Sequence, residues 1–226
     1  MIYITGDTHG EQGRFLELNM YGESQWTDKD ILIVCGDFGY LFTNQAYEHA
    51  FLNSLEKKPY TICFCDGNHE NFPAIKEYPR VKWNGGYVHK IRENVLHLTR
   101  GQVFNLQGKT FFVMGGGYSI DRYMRKEGYS YWKEEMPNNE EYREATKNLR
   151  EAGFKVDYII SHTAPQTVVR MMGKYCDSHE LELNGFFDWV AGEVAFKRWF
   201  FGHWHADRLI GGKFRAVWFD VIPLEN

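Results

Sequence analysis

The chain has 226 residues, with 26 basic and 30 acidic side chains for a net charge of −4, 17% aromatic residues, nine histidines and four cysteines. That aromatic load excludes intrinsic disorder, because disordered chains are poor in the residues that build a core. The mildly acidic balance argues against a surface that grips nucleic acid by bulk positive charge, and the length suits a single domain over residues 1–226 with its own core.

Short apolar runs rich in β-branched and aromatic residues recur along the chain: Ile2–Thr5, Ile31–Cys35, Thr61–Cys65, Val103–Leu106, Thr110–Met114, Tyr158–Ser161, Trp199–Phe201 and Phe214–Ile222. Each is of the length of a buried strand. The first begins almost at Met1, and no basic, long apolar leader of the secretory kind precedes it. No run approaches the roughly 18 apolar residues of a membrane span. Helical patterns lie between the strands. Tyr47, Phe51 and Leu55 recur at every fourth position after Asn44 as cap. Tyr142, Ala145, Leu149 and Ala152 follow Pro137-Asn138, carry Glu140 and Glu141 in the first turn, and stop at Gly153. Leu183, Phe187, Val190 and Val194 form a third stripe. Gly101–Met114 reads as an antiparallel hairpin turning at Gln107-Gly108. Alternating strands and helices predict an α/β layered fold, with two mixed sheets packed together and helices outside.

Cys35, Cys63 and Cys65 fall inside strand-like runs and Cys176 in a polar segment, the pattern of buried thiols in a reducing compartment such as the cytoplasm. Cys63 and Cys65 are expected on opposite faces of their strand, unable to share a metal. The stretch Tyr118–Asn139, rich in Tyr, Arg, Lys and Glu, reads as an excursion at the strand ends.

The polar residues that close the strands are Asp7 and His9, Asp37, Asn68 and His69, His162, and His203 and His205. In open sheets the crevice beyond the carboxyl ends of the strands collects such residues at one place. Alone, Asp7 or Asp37 would be an ordinary turn residue. Together, carboxylate, imidazole and amide oxygen form a mixed donor set suited to Mn, Fe, Zn or Ni. Leaving His69 aside, the seven donors are too many for one tetrahedral ion and about right for two ions with a shared ligand. Divalent cations would also let an acidic protein bind a phosphate ester.

Gly6-Asp7-Thr8-His9-Gly10, Gly36-Asp37, Gly67-Asn68-His69-Glu70, Ser161-His162 and Gly202-His203-Trp204-His205 resemble, in order, the five motifs of the calcineurin-like metallophosphoesterases, bacterial or phage type. The resemblance implies a four-layer α/β/β/α sandwich of two mixed β-sheets flanked by helices. It implies two divalent transition-metal ions, with manganese the first choice in vitro. Asp7, His9 and His205 would hold the first ion, Asn68, His162 and His203 the second, and Asp37 would bridge them. A metal-bridging hydroxide would attack phosphorus in line, with His69 facing the leaving oxygen as general acid or charge stabiliser.

The sequence departs from the protein serine/threonine phosphatases, which carry Asp-Arg-Gly shortly after Gly-Asp; here Gly36-Asp37 runs into Phe38-Gly39-Tyr40. Both the phosphate-holding arginine and the aspartate that would orient His69 are missing, although Glu70 matches that branch. Gly115-Gly116-Gly117-Tyr118 and the following Arg122 and Arg125 offer a replacement, because an arginine fork binds two phosphate oxygens at once. Arg122 or Arg125 is expected on the phosphate, with Tyr118 and Trp132 as an aromatic wall and Arg14 as a weaker candidate. A solvated loop face for the two arginines is an equal expectation. Cys176, Asp177, His179 and Glu180 read as a polar loop before the last helix in preference to an accessory metal site.

The function expected is a metal-dependent phosphoesterase, with small-molecule or nucleotide phosphodiesters slightly favoured over monoesters. A nuclease is second, nucleic acid being possible but not favoured without a basic track. A catalytically idle scaffold for protein partners is third, since such relatives usually lose ligands that are intact here. No membrane partner is expected, and oligomeric contacts have no signature in the sequence.

Overall fold

A computed structural model describes residues 1–224 of the chain. In chain order its strands and helices are β1 (Ile2–Thr5), α1 (Gly13–Glu17), β2 (Ile31–Val34), α2 (Ala46–Leu55), β3 (Thr61–Phe64), α3 (Phe72–Lys76), β4 (Arg80–Trp83), β5 (Gly86–Lys90) and β6 (Val95–Leu98). They continue with β7 (Gln102–Leu106), β8 (Lys109–Met114), α4 (Asn139–Glu151), β9 (Tyr158–Ser161), α5 (Gln166–Met171), α6 (Leu181–Glu193), β10 (Arg198–Phe201), β11 (Arg208–Ile210), β12 (Phe214–Ala216) and β13 (Ile222–Leu224).

The strands form two mixed sheets, in the orders β13-β1-β2-β3-β6-β5-β4 and β11-β12-β10-β9-β8-β7. Each has a parallel centre, β1-β2-β3-β6 in one and β12-β10-β9-β8 in the other, edged by antiparallel strands. Alternation along the strands divides the apolar residues among three layers. Ile4, Ile33, Cys63, Phe111, Val113, Ile160 and Phe200 meet between the sheets. Leu32, Val34, Ile62 and Phe64 turn the other way onto Leu52, Leu55 and Ile75 of α2 and α3. Phe112, Ile159, Trp199 and Phe201 turn outward onto Ala145, Leu149, Leu183, Phe187 and Val190 of α4 and α6. The result is the α/β/β/α sandwich.

Period two also corrects the thiol expectation. Residues two apart share a face, so Cys63 and Cys65 both point into the layer between the sheets, with Cys35. All four cysteines are free thiols.

The hairpin β7-β8 turns at Gln107 and Gly108, both with positive φ (52° and 77°), the geometry of a tight two-residue turn. Asn138 caps α4 through a capping box with Glu141, and Gly153 ends the segment with φ 65°. The α2 stripe is rotated from expectation. Gln45, not Asn44, is the N-cap, Tyr47 is exposed, and the buried face carries Glu48, Leu52 and Leu55. Glu48 turns inward because its carboxylate accepts the N–H groups of Thr43 (2.9 Å) and Asn44 (2.7 Å).

The run Phe214–Ile222 is two strands in different sheets, β12 and β13. Asp207 folds the chain between them, its carboxylate accepting the N–H groups of Trp218 (2.8 Å), Phe219 (3.0 Å) and Asp220 (3.1 Å). The strands β4, β5, β6 and β11 were not among the sequence expectations. Asn84-Gly85, with φ 46° and 97°, turns β4 into β5, and an Asn-Gly pair is the signal that could have found that hairpin.

Among the described residues no helix is long and apolar enough to cross a membrane.

Candidate metal centre and active site

The sandwich brings the carboxyl ends of β1, β2, β3, β9 and β10 to one side. Asp7, Asp37, Asn68, His162 and His203 each lie just beyond one of them. His162 Nε2, His203 Nδ1 and Asn68 Oδ1 form a triangle with all three sides 3.1 Å. His9 Nε2, His205 Nε2 and Asp7 Oδ2 form another, with sides of 2.9, 3.2 and 3.8 Å. Asp37 sits between, 3.3 Å from His162 Nε2 through one oxygen and 3.8 Å from His9 Nδ1 through the other.

These lengths test whether the residues fit a metal. Around an ion with bonds of about 2.1 Å, neighbouring donors lie about 3.0 Å apart in an octahedron and about 3.4 Å apart in a tetrahedron. The observed triangles have that size. His162 Nδ1 lies 3.0 Å from the carbonyl oxygen of Cys35, and donation there aims Nε2 at the His203 imidazole, the Asn68 amide oxygen and Asp37 Oδ1, where a proton or a cation can be held. The donor set fits divalent transition-metal cations.

Local backbone geometry builds the convergence. His9, Asp37, His203 and His205 adopt positive φ of 48°, 48°, 63° and 46°. Such conformations cost about 1–3 kcal/mol each and persist where surrounding structure holds them. The N–H of His203 donates to both Asp7 oxygens (3.0 and 2.9 Å), and that of His69 donates to Asp37 Oδ1 (2.8 Å). Gly36 and Gly202 are required by closeness, for a Cβ would overlap the His162 ring at the first and the Asp7 carboxylate at the second.

The electrostatics agree. Burial opposes charge on Asp37, yet the imidazoles of His162, His69, His9 and His203 outweigh it and hold the carboxyl below its ordinary range. Burial opposes charge on His162 too, but Asp37 and Asp7 raise its imidazole to about 9. The carboxylates thus demand positive charge at this point, which a cation supplies as readily as a proton. Burial dominates at His203 and lowers it, despite Glu180 nearby. The hydrogen bond with Asp7 raises His205.

His69 reaches the same cleft, beside His9 and Asp37. Its Nε2 lies 3.1 Å from Arg125 Nη2, and Arg125 Nε pairs with Asp121 at 2.7 Å. Burial lowers the His69 imidazole, with Arg125 adding to the effect against Asp37. Glu70 does not face His69. It is 1% exposed, and its oxygens accept the N–H groups of Phe38 and Gly67, each at 2.6 Å, joining the second and third motif loops. Burial, then the nearby Asp37, raises Glu70 well above the usual carboxyl range.

Of the expected substrate contacts, Arg125 and Tyr118 line the cleft, which has a volume of about 730 Å³. Arg122 lies outside that lining. Its guanidinium pairs with buried Glu135 at 2.9 Å and lies over the Tyr118 ring at 4.2 Å. Trp132 is buried and packs edge-on against Phe42, so it forms no part of the cleft wall. Arg14 is buried behind the site, holding the carbonyl oxygens of Asp7 (3.3 Å) and Trp218 (2.5 Å).

Sequence reasoning missed Trp218, which stacks on His205 with ring centroids 4.9 Å apart. Glu180, expected in a polar loop, is instead buried, and its carboxylate reaches into the site from just before α6. Nothing in the sequence links Glu180 to Tyr118, 62 positions away, whose N–H it accepts at 3.0 Å.

A search of curated proteins gives no match. The family model for calcineurin-like phosphoesterases matches residues 1–207 of the 226. The chain therefore belongs to the calcineurin-like phosphoesterases, metal-dependent hydrolases of phosphate esters, and its Asp and His side chains from the strand ends form groups that could hold a metal ion.

Proposed function

We propose that the chain hydrolyses phosphate esters at two divalent cations, one held by Asp7, His9 and His205, the other by Asn68, His162 and His203, with Asp37 shared. The observation that carries this reading is the pair of donor triangles with sides near those of a coordination polyhedron. Bound there, such cations supply charge neutralisation and an acidified water.

The protein's own groups do the rest. An arginine is not deprotonated in a protein, so Arg125 donates to His69 and Nε2 is the acceptor. A phosphate oxygen entering the cleft takes over the guanidinium N–H, and the freed His69 Nε2 takes up a proton from solvent that it then donates to the ester's leaving oxygen. Asp121 holds Arg125 by its Nε, so the guanidinium swings without leaving the rim.

The substrate we favour is a small-molecule or nucleotide phosphodiester. The cleft is wide and rimmed by Tyr118, Tyr175 and Trp218, which suits an ester with an organic group on either side of phosphorus. Its lining includes the cations Arg125 and Lys174 against Asp121, Asp177 and Glu180, too even a balance to track a polynucleotide backbone. Buried thiols at Cys35, Cys63 and Cys65 support a reducing compartment, the cytoplasm.

The test is hydrolysis of bis-p-nitrophenyl phosphate against p-nitrophenyl phosphate by manganese-loaded protein. The diester should be cleaved faster, chelator should abolish turnover, and added manganese should restore it. A loaded protein that cleaves neither ester nor any of a panel of nucleotides would contradict the proposal.

A further inference from the structure

Two donors of the second triangle are tied to the start of the excursion, Asn68 directly and His203 by way of Glu180. Asn68 Nδ2 donates to Ser119 Oγ at 3.1 Å. His203 turns its far nitrogen, Nε2, toward Glu180 Oε1 at 3.6 Å, and that same oxygen accepts the N–H of Tyr118 at 3.0 Å. The second Glu180 oxygen accepts the Thr163 hydroxyl at 3.2 Å, next to His162. Glu180 is 2% exposed, fixed on the residue that leads into α6, and so has little freedom to look elsewhere.

A histidine that binds metal through one nitrogen usually gives its other N–H to a carboxylate or carbonyl, which fixes the tautomer and the ring. His162 has the carbonyl of Cys35 for this purpose. His203 has Glu180. Their separation is longer than a hydrogen bond by a few tenths of an ångström, a shift that a ring drawn onto a cation can make.

Resting on the two-cation reading above, we infer that Glu180 is a positioning residue for the second cation site and couples its occupancy to the order of the 118–139 excursion. A single carboxylate holds the imidazole that takes the cation and the backbone that begins the rim. Cation binding at His203 Nδ1 makes the Nε2 proton a stronger donor, tightens the Glu180 contact, and thereby fixes Tyr118 and Ser119 over the cleft.

The experiment is manganese titration by calorimetry on the full chain, paired with hydrogen exchange at the amides of Tyr118 and Ser119. In the wild type two manganese ions bind, and the second slows exchange at both amides. In Glu180→Ala the affinity of the second ion falls about 10–100-fold, the first stays within about twofold, and manganese no longer protects the two amides. Glu180→Gln keeps an oxygen for the Tyr118 N–H without the charge, and falls between the two. Second-site affinity unchanged in Glu180→Ala, or an equal loss at both sites with a lowered melting temperature, overturns the inference. A wild type that takes up no manganese overturns the two-cation reading itself, an outcome separate from either.

Discussion

Two clusters of buried charge lie on either side of the loop Asp66–His69, and they differ in completeness. On one side Asp66 is 1% exposed, with one oxygen 3.0 Å from His97 Nε2 and the other accepting from Arg100 Nε at 2.8 Å. Arg100 spends its remaining N–H groups on Glu141 and on the carbonyls of Glu134 and Glu135. Burial opposes charge on Asp66, but Arg100 outweighs it and holds the carboxyl at about 2. On the other side Asp7 and Asp37 are as deeply buried, and imidazole nitrogens and an amide oxygen face one another at 3.1 Å. The first cluster is closed by protein groups alone. Among the described residues the second has no arginine or lysine to close it, and on the proposed reading a bound cation takes that place. Burial and charge by themselves do not mark a functional site; a mismatch between donors and acceptors does.

The contrast can be broken from either side. Asp37→Ala should remove metal from the protein and bring turnover to background, while the melting temperature changes by only a few degrees. His69→Ala should keep both ions and lose about 10²–10⁴-fold in turnover, the usual contribution of a positioned acid or base. Equal metal content in these two variants would show that Asp37 is not the shared ligand.

The closed cluster should behave in the opposite way. Asp66→Ala leaves the Arg100 guanidinium buried and short of its main partner, so it should cost about 3–5 kcal/mol of stability. Thermal unfolding followed by circular dichroism would then shift down by roughly 10 °C or more. A shift under about 2 °C would mean that Glu141 and the backbone carbonyls suffice. The same pair gives a pH dependence of known sign. A carboxyl held at about 2 when folded, against 3.8 in its ordinary state, adds stability above about pH 4 that is lost as pH falls toward 2. The loss is about 2–3 kcal/mol, read from urea unfolding at a series of pH values. An Asp66→Asn variant should show a flatter curve over that window.

The smallest effect sharpens the active side. Arg125→Ala should lower kcat/KM about 10–100-fold, the worth of a charge-assisted hydrogen bond, mostly through KM. Arg122→Ala should act mainly on stability, because its guanidinium is committed to Glu135.

Sequence order carried much of this. Residues such as Asp7 and Asp37 stand directly after short apolar strands, and parallel strands deliver their carboxyl ends to one side, so both the sandwich and the convergence of these polar side chains were legible. What was hidden depended on partners far apart in the chain. Val81 and Lys82 on the edge strand β4, and Tyr87 on β5 beside it, are exposed, so these two short strands gave only the weak Asn84-Gly85 signal. Arg122 and Arg125 are alike in sequence and part only because Glu135 meets one and His69 the other. His97, which stands outside the five motifs, belongs to the Asp66 cluster through a partner 31 positions away.

Metal stoichiometry tests the central claim most directly. Protein equilibrated with excess manganese and freed of unbound ion should carry two ions per wild-type chain and two in Asp66→Asn, but fewer than one in Asp37→Ala. One ion or none in the wild type, or two retained without Asp37, would contradict the account.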